Sequence, residues 1–338
     1  MSSITEAAYS SPEYTHCVRD SRFRHNVYGP EADTFLFLEA LDKDAEFLRS
    51  IQPDRCVEVG CGSGTVITHL RCLLMPSVAA AATQEIDAEK PEPCCRTSGT
   101  RSTVGGPMFC AVDVNSLALE ATAITWTETL LKYFRETVLT NFYERRFQSA
   151  VPTSLAAPVV LSAEGAAPPS PRVEADGPTA SALSASTFCL HRFHGDLLHA
   201  LPHGNSASAL FDVVLFNPPY VPTSLEELQD AITQRDVITT AWCGGPRGRV
   251  VLDRFLRQLP SVLSRRGVCY VVLTKENNAT DVVALAQAAF REHLRCSGTT
   301  ETVRDEDDVL EASEVAARYT GEHLSVYRLR YFPRFQTP

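Results

Sequence analysis

The chain has 338 residues, 44% of them hydrophobic, with a formal net charge of −10 and a pI near 5.4. That length allows two domains, or one domain carrying insertions, and the composition supplies a sizeable core. The acidity argues against a broad phosphate-binding face, because nonspecific affinity for nucleic acid comes mostly from Lys and Arg. No apolar run approaches the roughly 18 residues that span a bilayer. The eleven cysteines form no CxxC pair and no zinc-finger spacing, and read as reduced intracellular thiols. The start of the chain lacks an apolar signal region, so a soluble, cytoplasmic protein is expected, with the nucleus as a second location.

Residues 1–26 read as a polar N-terminal segment and 27–338 as a single domain. Apolar groups at helical spacing between residues 30 and 50 (Phe35, Leu38, Leu41, Phe47, Leu48) predict a helix. Cys56 to Val59 predicts a short buried strand, followed by the glycine cluster Gly60-Cys61-Gly62-Ser63-Gly64 and a helix over Thr65 to Leu74. Such a strand, glycine turn and helix open many doubly wound nucleotide folds. About residues 76–107 and 148–186 the composition turns to Ala, Ser, Thr, Pro and Glu without periodicity. Such stretches cannot bury enough apolar area to offset chain entropy, and are expected to be mobile insertions. Between them lie a strand, Met108 to Val112, ending in Asp113, and a helix from Ser116 to about Leu139. Strands are predicted at Phe188–Phe193, Asp212–Phe216, Gly267–Thr274 and Leu324–Phe332, and helices at Arg249–Leu263 and Asp281–His293. The acidic run Asp305 to Asp308 reads as a smaller excursion. The alternation of strand and helix predicts an α/β fold with a mostly parallel sheet.

Glu58-x-Gly60-x-Gly62-x-Gly64 lets the chain turn tightly and brings backbone N–H groups close to a ligand, with a carboxylate beside the turn. Asp113, at the end of the next strand, is placed to accept hydrogen bonds from two ribose hydroxyls; the alternative is an N-cap for the helix that follows. Removing residues 76–107 restores roughly the 20-residue spacing expected of such an acid. Asp196 and Leu197 follow the next strand, where the carboxylate and an amide could read an adenine edge; helix capping is again the alternative.

The sharpest signal is Asn217-Pro218-Pro219-Tyr220, directly after an apolar strand. Two prolines remove backbone donors and stiffen the loop. The Asn217 side-chain oxygen and the Pro218 carbonyl then become acceptors for an NH2 group at a strand end, where α/β sheets bind ligands. Tyr220 could stack on a flat substrate. Four histidines (His191, His194, His199, His203) invite a metal reading, but His191 and His194 fall on opposite faces of a strand, and no metal is expected. The pair Cys94-Cys95 lies in the first insertion and reads as incidental.

Together these residues resemble the HemK-like class I methyltransferases, and in particular their eukaryotic release-factor glutamine methyltransferase branch. The resemblance rests on Tyr28-x-Pro30-x-x-Asp33-Thr34-Phe35, the glycine turn, Asn217 to Val221, Ala241-Trp242-x-Gly244-Gly245-x-x-Gly248-Arg249, Asp253-Arg254-Phe255 and Lys275-Glu276-Asn277-Asn278. Gly29 and Ala32 depart from the acidic residues usual at those two positions. The resemblance implies a Rossmann-like, mostly parallel seven-stranded sheet with helices on both faces, and S-adenosylmethionine as cofactor. It implies a cofactor site lined by Thr34, Glu58, Gly60, Gly62, Asp113, Asp196, Leu197 and Asn217, with the target amide held by Asn217, Pro218, Pro219 and Tyr220. The substrate would be the glutamine of a Gly-Gly-Gln motif in a translation release factor. The partner would be a small zinc-binding activator subunit forming a heterodimer, docked on the third strand as an apolar sheet edge. Methyl transfer suits the residues themselves, because the protein has mainly to align nucleophile, methyl and sulfur. An adenine-N6 methyltransferase of nucleic acid, a protein-lysine methyltransferase and a catalytically silent cofactor-binding scaffold remain as alternatives.

Overall fold

Apolar side chains alternate along the strands, and this alternation decides which face each helix covers. The computed structural model describes residues 11–75, 107–144, 189–201, 210–297, 303–304 and 307–336, with backbone alone over 134–144. Seven strands form one sheet: β1 (Arg55–Val59), β2 (Met108–Asp113), β3 (Leu190–His194), β4 (Phe211–Phe216), β5 (Leu263–Thr274), β6 (Leu310–Tyr319) and β7 (His323–Tyr331). Their order is β3-β2-β1-β4-β5-β7-β6. Neighbours from β3 to β5 run parallel, while β7 is antiparallel to both β5 and β6. The chain moves outward from β1 to β3 and then returns to β4. The strand order therefore reverses between β1 and β4, and α/β sheets bind ligands outside the carboxyl ends of strands at such a point.

On one face Cys56, Val213, Leu215, Val268, Tyr270 and Val272 pack under α3 (Ala32–Lys43), α4 (Ala45–Ser50), α5 (Thr65–Leu73) and Trp126 of α6 (Ser116–Glu144). On the other, Val57, Val214, Phe216, Cys269 and Val271 pack under α9 (Val250–Gln258) and α10 (Ala279–Cys296) through Phe255, Leu256, Phe290 and Leu294. Two further helices, α7 (Leu225–Gln234) and α8 (Val237–Trp242), follow β4. Each such buried Leu or Phe stabilises the fold by roughly 1.5–3 kcal/mol.

Several boundaries differ from the sequence expectation, each for a physical reason. The helix predicted over 30–50 divides at Asp44, whose carboxylate accepts from Tyr270 Oη and Arg328 Nη1, both at 2.8 Å. The helix predicted to reach Leu263 ends at Gln258, because Pro260 cannot continue it, and Leu263 already pairs with Phe211 as the start of β5. The polar N-terminal segment contains α1 (Thr15–Arg19) and α2 (Ser21–Arg24), whose Cys17 and Phe23 pack with Val27 on Ala118 and Ala121 of α6. β6 is an unpredicted strand. Of the acidic run before it, Asp307 accepts from the Arg304 amide at 2.8 Å and pairs with Arg334 at 2.9 Å. The second insertion, Cys94-Cys95, His203 and all of the first insertion but Pro107 lie outside the described residues.

Candidate active site

The turn after β1 is built by residues that need left-handed backbone. Gly60, Gly62 and Gly64 have φ of +64°, +50° and +74°, values that a side chain disfavours. A β-carbon on Gly64 would also meet the Thr122 backbone at 2.6 Å, so the third glycine lets α6 close on the turn. Glu58 is buried beneath it and accepts from the Ile67 amide at 2.9 Å, in the first turn of α5. Burial pushes the Glu58 carboxyl well above the usual carboxylate range, and the neighbouring Asp113 pushes it further.

Asp113 ties β2 to this turn. Its Oδ2 accepts from the Gly62 amide at 3.0 Å and its Oδ1 from the Asn115 amide at 2.8 Å. Burial raises its carboxyl even against those two amides. Asp113 is not the helix cap: Asn115 caps α6, accepting from the Leu117 amide at 3.0 Å. Asp196 makes no side-chain capping bond either; its carboxylate meets the Arg254 guanidinium. Leu197 beside it has φ +52°, a conformation that costs a non-glycine residue of order 1 kcal/mol or more and turns up at functional sites.

Asn217 leaves β4 at the sheet's point of reversal. Its Nδ2 donates to Asp33 Oδ2 at 2.9 Å, while its Oδ1 is buried with no hydrogen-bond partner. Asp33 lies in the first turn of α3 and is buried. The same Oδ2 accepts from Tyr28 Oη and Tyr220 Oη, both at 3.2 Å, and Oδ1 accepts from the Thr34 amide at 2.7 Å. Burial, followed by the Asp33 charge, raises both phenols, so each stays protonated and donates. Tyr220 lines the cavity, is 8% exposed and is anchored by its hydroxyl. Asp33 and Tyr28 belong to a sequence pattern already singled out, yet their roles appear only once the first turn of α3 is set against β4.

A second anchor holds the far end of the loop. Asn277 is fully buried; its Nδ2 donates to the Tyr220 carbonyl at 3.0 Å and to the Arg247 carbonyl at 2.9 Å, and its Oδ1 accepts from the Thr274 amide at 2.8 Å. Gly244 packs against the Pro219 carbonyl, where a β-carbon would come within 2.5 Å. The motifs around Gly244 and Asn277 therefore form the bed of the Asn217–Tyr220 loop.

These groups enclose a cavity of about 600 Å³ between the ends of β1, β2 and β4 and the α7–α8 segment. Every residue predicted for the site lines it, from Thr34 and Glu58 through Asp113 and Leu197 to Tyr220. Arg235, Trp242 and Arg254 line it as well and were not predicted. The histidines play other parts: His194 Nε2 bonds the Val114 carbonyl at 2.9 Å, and His191 contacts Cys189 Sγ at 3.6 Å.

No protein-family profile matches the chain. Methyltransferase HEMK2 of Mus musculus is 26% identical over 277 residues, covering 80% of this chain and 82% of that protein. The eRF1 methyltransferase catalytic subunit mtq2 of Schizosaccharomyces pombe is 24% identical over 265 residues, 78% of each chain. The chain is a methyltransferase, similar along about four fifths of its length to the HemK-like enzymes. Among solved structures, the E. cuniculi Mtq2–Trm112 complex, responsible for methylation of the eRF1 termination factor, aligns with 14% identity and a TM-score of 0.41, over 90% of this chain and 98% of that one.

The cofactor of this methyltransferase is S-adenosylmethionine, which supplies a methyl group on a positively charged sulfur. The residues present fit it. The glycine turn brings backbone to the cavity wall, and two carboxyl groups, Glu58 and Asp113, stand at or next to the ends of adjacent strands.

Proposed function

We propose that this enzyme methylates the side-chain amide nitrogen of the glutamine in the Gly-Gly-Gln motif of a translation release factor. The observation that carries this reading is the buried, partnerless Oδ1 of Asn217, a residue that lines the cofactor cavity. A buried acceptor without a donor costs about 1–3 kcal/mol, and an incoming amide N–H removes that cost. In the assignment we favour, Asn217 Oδ1 and the Pro218 carbonyl accept the two N–H groups of the target, which turns its lone pair toward the cavity. An amide nitrogen is a poor nucleophile, and acceptors on its protons stabilise the charge that develops on it as the new bond forms. One of the two protons leaves to water after transfer and the other stays on the methylated amide, so no general base is assigned. Pro219 stiffens the loop and Tyr220 anchors it. Thr34, Glu58, Gly60, Gly62, Asp113, Asp196 and Leu197 hold the cofactor. The fission yeast relative is named for its action on eRF1, which supports the choice of substrate.

The same relative is named a catalytic subunit, and we propose that this chain likewise works in the cytoplasm with a small zinc-binding activator. Among the described residues β3 ends the sheet on one side, with Leu190 buried and His191 to Phe193 half-buried, an edge of the kind that takes strand addition. Coexpression with and without that subunit tests the pairing; full solubility and activity of the chain alone would refute it.

The function itself is tested by transfer of label from S-adenosylmethionine in the presence of the activator. The substrates are a Gly-Gly-Gln domain, its Gln→Ala version and an adenine-containing duplex. Label on the first alone is expected. Label on the duplex, or on the Gln→Ala domain, would overturn the reading.

A further inference from the structure

Asp33 receives five hydrogen bonds, and every donor is neutral. Oδ2 takes Asn217 Nδ2 at 2.9 Å and the hydroxyls of Tyr28 and Tyr220 at 3.2 Å. Oδ1 takes the Thr34 amide at 2.7 Å and the Thr34 hydroxyl at 3.3 Å. The carboxylate sits in the first turn of α3, where the helix dipole favours a negative charge. An ionised carboxylate only accepts. Whatever faces it must donate, so Asn217 has to present its NH2 group, and its oxygen is left facing the opposite way. That oxygen is the buried atom without a partner. With the carboxamide rotated by half a turn, oxygen would oppose oxygen at Asp33, and a donor would point at the N–H of an incoming amide.

We propose that Asp33 is the positioning residue that fixes the orientation of the Asn217 carboxamide, and thereby makes the site select acceptors that offer an N–H. The inference deepens the reading of this site as an amide methyltransferase and rests on it. Asp33 is assigned no contact with the substrate; it acts through Asn217. The two tyrosines reinforce the effect. Each phenol donates to the same Oδ2 that faces Asn217, so that oxygen is bound as an acceptor from three sides. A neutral carboxamide at position 33 cannot replace it. With its oxygen toward the Thr34 amide, its NH2 group would face Asn217, which could then turn its own oxygen inward and its NH2 toward the substrate. With its oxygen toward the tyrosines, it would set its NH2 against the Thr34 amide.

The experiment compares wild type, Asp33→Asn, Asn217→Asp and the double exchange, each as the full chain with its activator. Three readouts are taken: affinity for S-adenosylhomocysteine by calorimetry, kcat and KM on a Gly-Gly-Gln domain, and the NMR signal of the Asn217 side-chain amide in selectively labelled protein. For Asp33→Asn the expected results are product affinity within about threefold of wild type, kcat lowered at least a hundredfold with KM little changed, and loss of the shifted, slowly exchanging Asn217 amide proton. In the double exchange the carboxamide placed at position 33 can donate to the carboxylate placed at position 217, so kcat should recover at least tenfold over Asp33→Asn. The proposal is overturned by any of three outcomes. These are kcat kept within threefold, product affinity lost in parallel with kcat, or an Asn217 amide signal unchanged by the substitution. Inactivity of the wild type on the Gly-Gly-Gln domain would count against the substrate instead, and the NMR arm would still decide the role of Asp33.

Discussion

Gly248 lies against the backbone of Tyr220 so closely that a β-carbon added to it would stand 1.8 Å from the Tyr220 carbonyl oxygen. Its φ of +65° also belongs to the left-handed region. Gly248→Ala must therefore displace the loop that carries Asn217. We expect methyl transfer to fall by at least two orders of magnitude while the rest of the fold is kept. Activity assays alongside near-ultraviolet circular dichroism check this, and a variant with wild-type kcat would show that the loop tolerates the shift.

Asn277 makes the complementary case. Its Nδ2 serves the Tyr220 and Arg247 carbonyls together. Asn277→Asp preserves the shape but turns the donor into an acceptor facing two oxygens. Leaving such groups buried and unpaired costs about 1–3 kcal/mol each. The expected outcome is a midpoint in urea lowered by several tenths molar, together with a loss of activity larger than the loss of folded protein explains.

Some of this was legible in the sequence and some was not. The turn Gly60 to Gly64, the strand ending in Asp113 and the Asn217 loop are local patterns, and each chemistry-bearing residue stands within a few positions of the turn that aims it. Asp33 is different. Its role depends on contact with Asn217 across 184 residues, and no periodicity encodes such a contact. β6 was missed because Leu310–Tyr319 is an edge strand of mixed burial, rich in Ala and Glu, and it is a strand only by pairing with β7. α7 and α8 follow a motif whose prolines drew attention to the loop alone.

Asp212 anchors the opposite end of the sheet. Burial pushes its carboxyl up, but Arg266, Ser264 and the Asp54 amide outweigh this and hold it below the usual range. A carboxylate lowered in the folded state stabilises the fold above its unfolded pKa, and that contribution fades as pH falls through the folded value. Asp212→Asn should cost on the order of 3 kcal/mol at pH 7. Its unfolding midpoint should approach that of the wild type below about pH 4, the unfolded Asp value.

Glu58 has the opposite sign. Its carboxyl is raised in the folded state, so folding is favoured at low pH and that advantage is lost as pH rises through the raised value. Glu58→Gln keeps an acceptor for the Ile67 amide without a buried charge. It should melt with the wild type near pH 4 and above it at pH 8, while binding S-adenosylmethionine more weakly. Equal melting temperatures at pH 8 would contradict the assignment.

The connection from α6 to β3 joins β3 at Leu190, the strand end remote from Asp113, Asp196 and Asn217. Deleting residues 148–186 should therefore leave cofactor affinity within about threefold of the full chain, measured by calorimetry. Failure to fold would show that the segment contributes to the core.

α3, which carries Asp33 and Thr34, is pinned from the far end of the chain. Arg318 of β6 meets Glu39, and Arg328 of β7 reaches Asp44 at 2.8 Å. On the ribosome these partners emerge roughly 280 residues after the helix they hold. Until they do, α3 has its packing on α5, the Asp42–His69 bond and the bonds of Asp33 to the Asn217 loop, but neither of these C-terminal ion pairs. The helix that orients the acceptor for the target amide is thus fully pinned only after β6 and β7 have been made, and a prematurely released chain would lack that support.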